Sequence, residues 1–193
     1  VGKSSLMNAF LGEKVAIVSP KPQTTRNRLL GILTRPDAQI VFVDTPGIHQ
    51  PRHRLGQYMV KTAAGAIPDA DVALQVADLS EDPQGSDAAT AKLIAGRSHA
   101  PAILALNKVD RVGPADLQRR VDAYRAMGDF ADWMLVSAKR GDNLDRLLDM
   151  VVTRLPEGPR YYPADQVTDQ HERFMAGELI RQRGNEYGTT TGR

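Results

Sequence analysis

Apolar Leu6, Met7 and Phe10 recur at helical spacing behind the polar run GKSS, which predicts a helix from Lys3 to about Leu11 with its N-terminal amides facing whatever lies ahead. Residues 13–28, EKVAIVSPKPQTTRNR, lose any sustained period after Val18 and carry two prolines, which predicts a mobile loop. RLLGILT and AQIVFVD are strand-like and flank the turn-like RPD, so a hairpin is expected, its second strand ending at Asp44. A helix near 54–64, the strand DVALQVAD, a helix near 86–96 and the strand AILAL follow. A helix near 114–127, the strand WMLVSA and a helix near 143–154 complete the pattern. Such alternation points to an α/β fold, a mostly parallel sheet with helices on both faces, over residues 1–154. The Pro- and aromatic-rich stretch at 155–168 reads as a linker. Beyond it, a Thr168 or Asp169 N-cap with Phe174, Met175, Leu179 and Ile180 predicts one further helix over 169–183, and residues 184–193 form an irregular tail.

Composition changes this picture only at its edges. The apolar share of 41% is ordinary for a globular fold, and 25 basic against 23 acidic residues leave a net charge of +2, too slight to point to nucleic acid. The absence of cysteine excludes disulfides and thiolate metal sites and fits a reducing, cytoplasmic setting. No apolar run approaches the ~20 residues of a membrane span.

Chemistry enters through four short motifs. GKS at Gly2, Lys3 and Ser4 matches the end of G-x-x-x-x-G-K-[ST], in which backbone amides, including those of Gly2 and Ser5, cradle phosphates. Lys3 would neutralise β and γ oxygens and Ser4 would supply a Mg²⁺ ligand. A GKS triplet alone is common by chance, so context decides. DTPG follows an apolar strand that would hold the Asp44 carboxylate at the sheet's carboxyl edge, where it can hold Mg²⁺, while the Gly47 amide could reach a γ-phosphate. NKVD, at Asn107, Lys108 and Asp110, also follows an apolar strand. Asp110 can accept from the N1 and N2 donors of guanine, which adenine lacks; Asn107 would tie neighbouring loops, and the Lys108 stem would cover the ring. In SAK, at Ser137, Ala138 and Lys139, the Ala138 amide could donate to guanine O6. In the loop between the first helix and the hairpin, Thr25, or else Thr24, could complete Mg²⁺ coordination while γ-phosphate is present and release on hydrolysis. The chain order GKS, TTR, DTPG, NKVD, SAK is specific for a GTP-binding P-loop domain of the translation-factor class.

With those residues in view, KPQTTRNR, DTPGIHQPRHRLGQYMVKTA, NKVD, SAKRGDN and LPEGPRYYPADQVTDQHERFMAGELIR closely resemble the Era-like family of bacterial ribosome-assembly GTPases over roughly residues 1–183. The resemblance implies a GTP-hydrolysing switch with Mg²⁺ and GTP or GDP as ligands. It implies binding of small-subunit (16S) ribosomal RNA and the 30S subunit through a C-terminal KH domain, whose first helix would be 169–183. It also implies a cytoplasmic monomer, with peripheral inner-membrane association known in the family. Ile48 stands where Ras-like enzymes place a water-orienting glutamine, and an aliphatic side chain cannot polarise water, so intrinsic hydrolysis is expected to be slow. Similar GTPases use a potassium ion held by an asparagine directly before the valine of NVGKS, a position ahead of Val1, so potassium stays open. His49, beside Gln50 and Pro51, is expected to be solvated and takes no catalytic role.

Two departures from the family pattern qualify these expectations. No G-x-x-G occurs in the chain, and from Arg160 onward five arginines face five acidic residues, so the RNA-clamping part of a KH domain is expected to be missing. In this family a central strand leads into the phosphate loop, and losing its apolar side chains would forfeit roughly 10 kcal/mol of burial, so Val1 is expected to lie inside a longer sequence. An inactive fragment, or a related GTPase acting on tRNA or the large subunit, are the alternatives.

Overall fold

The computed structural model describes residues 1–16, 18, 29–47 and 54–169. Helix α1 (Lys3–Leu11) precedes an antiparallel hairpin of β1 (Leu29–Thr34) and β2 (Gln39–Asp44), closed by the Arg35 amide on Ala38 O at 2.8 Å. There follow α2 (Arg54–Ala66), β3 (Ala73–Asp78), α3 (Gly85–Arg97), β4 (Ala102–Asn107), a 3-10 turn at Val109–Arg111, α4 (Pro114–Arg125), β5 (Asp132–Leu135) and α5 (Leu144–Val152). Strands β3, β4 and β5 are parallel, with β4 central.

Strand β4 is a continuous apolar run because both of its faces are covered. Ile103 and Ala105 point to a core shared with Leu6 and Phe10 of α1 and Leu147 and Val151 of α5. Leu104 and Leu106 point the other way, against Val121 and Tyr124 of α4. Helices on both faces therefore hold the β4 carboxyl end rigidly, and that end carries Asn107.

The described strands form two separate ladders, β1–β2 and β3–β4–β5. A cleft of about 660 Å³ lies between β2 and β3, lined by Leu6, Phe10, Ile40, Phe42, Leu74 and Val76 among others. Phe10 and Phe42 stack at 5.3 Å on its α1 side.

One loop expectation is corrected. Residues 13–28 were expected to be mobile throughout, yet Val15 and Ala16 are buried. The Asn8 side chain accepts from both of their amides (3.0 and 2.8 Å) and donates to Ala16 O (2.8 Å), fixing the loop's first turn to α1. The linker has no helix or strand up to Asp169, but it lies against the hairpin. Gln39 accepts from the Tyr161 and Tyr162 amides (2.8 and 3.0 Å) and donates to Tyr162 O (2.9 Å). Arg160 donates to Arg35 O, Thr168 to Leu30 O, and the Ile32 amide to Val167 O. The predicted helix at 169–183 and the tail at 184–193 lie outside the described residues apart from Asp169. Among the described residues no helix is long and apolar enough to cross a membrane.

Candidate guanine-nucleotide site

At the carboxyl edge of the strands, the chain turns through Gly2 into α1. Gly2 has φ +93°, and a β-carbon there would meet Asn107 Nδ2 at 2.6 Å, so only glycine lets the loop approach the base-reading turn. Lys3 opens α1. Burial pushes its ammonium pKa below the ordinary lysine value, opposed by the Asp44 carboxylate. Ser4 Oγ donates to Asp44 Oδ2 at 2.7 Å, joining the first turn of α1 to the end of β2. A β-carbon on Gly47 would sit 3.6 Å from Lys3 Nζ, which puts the DTPG backbone beside the lysine ammonium. Ser5 lies in the same first helical turn.

A hydroxyl and a carboxylate 2.7 Å apart, beside a lysine and a helix N-terminus, suit Mg²⁺ held jointly with phosphate oxygens. Thr24, Thr25, Ile48 and His49 lie outside the described residues.

The end expected to read the base is assembled from β4 and the turn after β5. Asn107 ends β4 with 2% of its surface exposed; its Nδ2 donates to Val1 O (3.0 Å) and its Oδ1 accepts from the Ala138 amide (3.0 Å). One buried amide thus joins the phosphate-loop end to the SAK turn. The Ala138 amide, expected to meet guanine O6, is used by Asn107 in this structure. Asp110, on the 3-10 turn, accepts from the Ser137 hydroxyl at 2.6 Å. That hydrogen bond leads in holding the Asp110 carboxyl below its usual pKa, so the group stays an acceptor across the neutral range. Ser137 is fully buried, and its Oγ also accepts from the Arg140 amide (3.1 Å); Lys139 is exposed.

Two residues absent from the motif reading belong to this framework. Asp78, at the end of β3, bonds the Lys108 ammonium through Oδ2 and accepts from Ser80 Oγ (2.5 Å) and Ser80 N (3.2 Å) through Oδ1. Asn8 ties Val15 and Ala16, the residues that follow α1, back to the helix. The signal for Asp78 was present in DVALQVAD, a strand ending in an acid as AQIVFVD does, but no motif singles it out.

The family model described as "50S ribosome-binding GTPase" matches residues 1–108. The chain belongs to this GTPase family. Within it, the chain is similar to GTPase Era of Heliobacterium modesticaldum, at 45% identity over 95% of this chain and 61% of that protein. It is also similar to the solved structure of Era in complex with MgGDPNP and nucleotides 1506–1542 of 16S ribosomal RNA (38% identity, TM-score 0.87, 95% of this chain and 63% of that one). A structure of a variant Aquifex aeolicus Era bound to GDP-AlF4 matches at 37% identity and TM-score 0.88, over 95% of this chain and 62% of that one. The chain therefore spans somewhat over three fifths of the length of these relatives. Translation elongation factor SelB of Methanococcus maripaludis, at 18% identity and TM-score 0.60, shares the fold alone.

Proposed function

We propose that the chain is the nucleotide-binding part of an Era-type GTPase, a switch that binds GTP with Mg²⁺, hydrolyses it, and binds small-subunit ribosomal RNA to assist 30S maturation. Residues 1–154 form the G domain, 155–168 the linker, and 169–183 begin an RNA-binding KH domain. The observation that carries the reading is the Asp110–Ser137 pair, an ionised acceptor held at the strand ends in one framework with Lys3, Ser4 and Asp44. An ionised carboxylate pairs with the two donors on the guanine edge and rejects adenine, which would leave it desolvated and unpaired.

The chain's own residues divide the work. The amides of Gly2 to Ser5 and the Lys3 ammonium take the phosphates; Ser4 and Asp44, with Thr25, hold the metal; the Gly47 amide reports the γ-phosphate; Asp110 reads the base. When bound, Mg²⁺ neutralises charge on the β and γ oxygens. Hydrolysis is slow because Ile48 offers nothing to orient water, and a comparison of phosphate release in K⁺ and Na⁺ separates a potassium-assisted route from an independent one.

The small-subunit reading is favoured over a large-subunit one, despite the family description, because relatives at 37–45% identity over 95% of the chain are Era proteins, one of them solved with 16S RNA. The deciding experiment displaces a fluorescent GDP with unlabelled GDP, GTP and ATP in Mg²⁺. Competition by GDP and GTP without ATP is expected, and tight ATP binding overturns the assignment. An RNA oligonucleotide from the small-subunit 3′ region, tested against a large-subunit one on a chain carrying the complete KH domain, checks the partner.

A further inference from the structure

We propose that Asp78 is a positioning residue for the nucleotide site, holding the Lys108 ammonium so that the lysine stem lies across the face of the bound guanine. The inference rests on the guanine-nucleotide reading above and adds a residue outside every motif that led to it.

In the parallel register of β3 and β4, Asp78 stands opposite Asn107, so the carboxylate lies beside the turn that carries Lys108. Lys108 has φ +67°, a left-handed conformation that L side chains rarely adopt, and this turns it away from the strand direction. Its ammonium then meets Asp78 Oδ2, while Oδ1 is tied to the amide and hydroxyl of Ser80. The backbone carbonyl of Asp78 accepts from the buried Tyr124 hydroxyl at 2.8 Å. Asp78 is 9% exposed, and its carboxylate is fixed from both sides before any ligand arrives. The backbone nitrogen of Val1, 3.6 Å from the same Oδ2, places Asp78 next to the GKS turn as well. The lysine ammonium is thus held at the same carboxylate that lies beside Val1, between the NKVD turn and the GKS turn.

A free lysine side chain loses several rotamers when a ring packs against its stem. Holding the ammonium in advance removes much of that cost, worth about 0.5–1.5 kcal/mol for an immobilised long side chain, or about 2- to 12-fold in affinity. The stem touches the ring's face and not its hydrogen-bonding edge, so the gain applies to any purine carrying the Asp110-matched N1 donor.

The test measures GDP and IDP affinity and GDP dissociation for Asp78→Asn, Lys108→Met and the double variant. IDP lacks the 2-amino group. Asp78→Asn keeps the side-chain shape and an acceptor for Ser80 while removing the charge. It is expected to speed GDP release and to weaken GDP and IDP by the same 2- to 12-fold, leaving their ratio unchanged, and to have no further effect once Lys108 is Met. An unchanged affinity in Asp78→Asn, a shifted GDP/IDP ratio, or full additivity of the two substitutions overturns the inference. Should Asp78→Asn fail to fold, Ser80→Ala, which removes the hydroxyl from Asp78 Oδ1 and leaves only the longer amide contact at 3.2 Å, must weaken both nucleotides equally, and no change there also overturns it. If the unaltered protein does not bind GDP, the guanine reading and this inference fall together; if it binds GDP and only the variants are silent, this inference alone falls.

Discussion

At Lys3 stability and the proposed phosphate-binding role are expected to pull in opposite directions. Its pKa is lowered by burial, so folding disfavours the charged form, and the burden eases only as pH rises through the lowered value. Lys3→Met should therefore raise the melting temperature of the nucleotide-free protein. The same change should weaken GTP by about 10- to 100-fold, the worth of a charged hydrogen bond, as read by calorimetric titration. Asp110 has the opposite sign. Its carboxyl pKa is depressed, first by Ser137, so its charge persists above the lowered value and is lost as pH falls through it. Ser137→Ala should move the acid limb of GDP binding to higher pH, and an acid limb that stays in place would show that Ser137 does not set the Asp110 charge.

At the scale of elements, the hairpin and the linker behave as one unit. The single amide of Gln39 binds two linker amides and one linker carbonyl and also donates to Thr34 Oγ1 at 3.0 Å. Gln39→Ala leaves those linker groups to water. It should cost about 0.5–1.5 kcal/mol, measured by urea unfolding, and should speed hydrogen exchange at Tyr161 and Tyr162 while leaving the β4 amides protected. At the other end of the hairpin, β1 begins at the buried Leu29, and on the α1 side Asn8 holds the buried Val15 and Ala16.

Across the whole molecule, the proposed nucleotide binding should be linked to folding, because the candidate site draws on α1, β2, β3, β4 and the turn after β5. A ligand that joins them stabilises the folded state by mass action, about 2.7 kcal/mol at one hundred times its dissociation constant. Thermal unfolding should shift upward with GDP and Mg²⁺, less with GDP and a chelator, and not at all with ADP at the same concentration. An equal shift with ADP would remove the base-reading role of Asp110.

The residue order by itself determined the α/β alternation, the hairpin, the strand ends and the four nucleotide motifs, because hydrophobic period and short phosphate- and base-reading stretches are local properties of the chain. Only the tertiary structure decided the partners across the site. Ser137 meets Asp110 and Lys108 meets Asp78 through contacts 27 and 30 residues apart, while Gln39 reaches Tyr162 across 123. Hydrogen bonds are directional and short, so they depend on strand register and on how loops from different strands come together. A pattern of apolar and polar positions fixes which face a residue occupies, but not which distant atom it will meet.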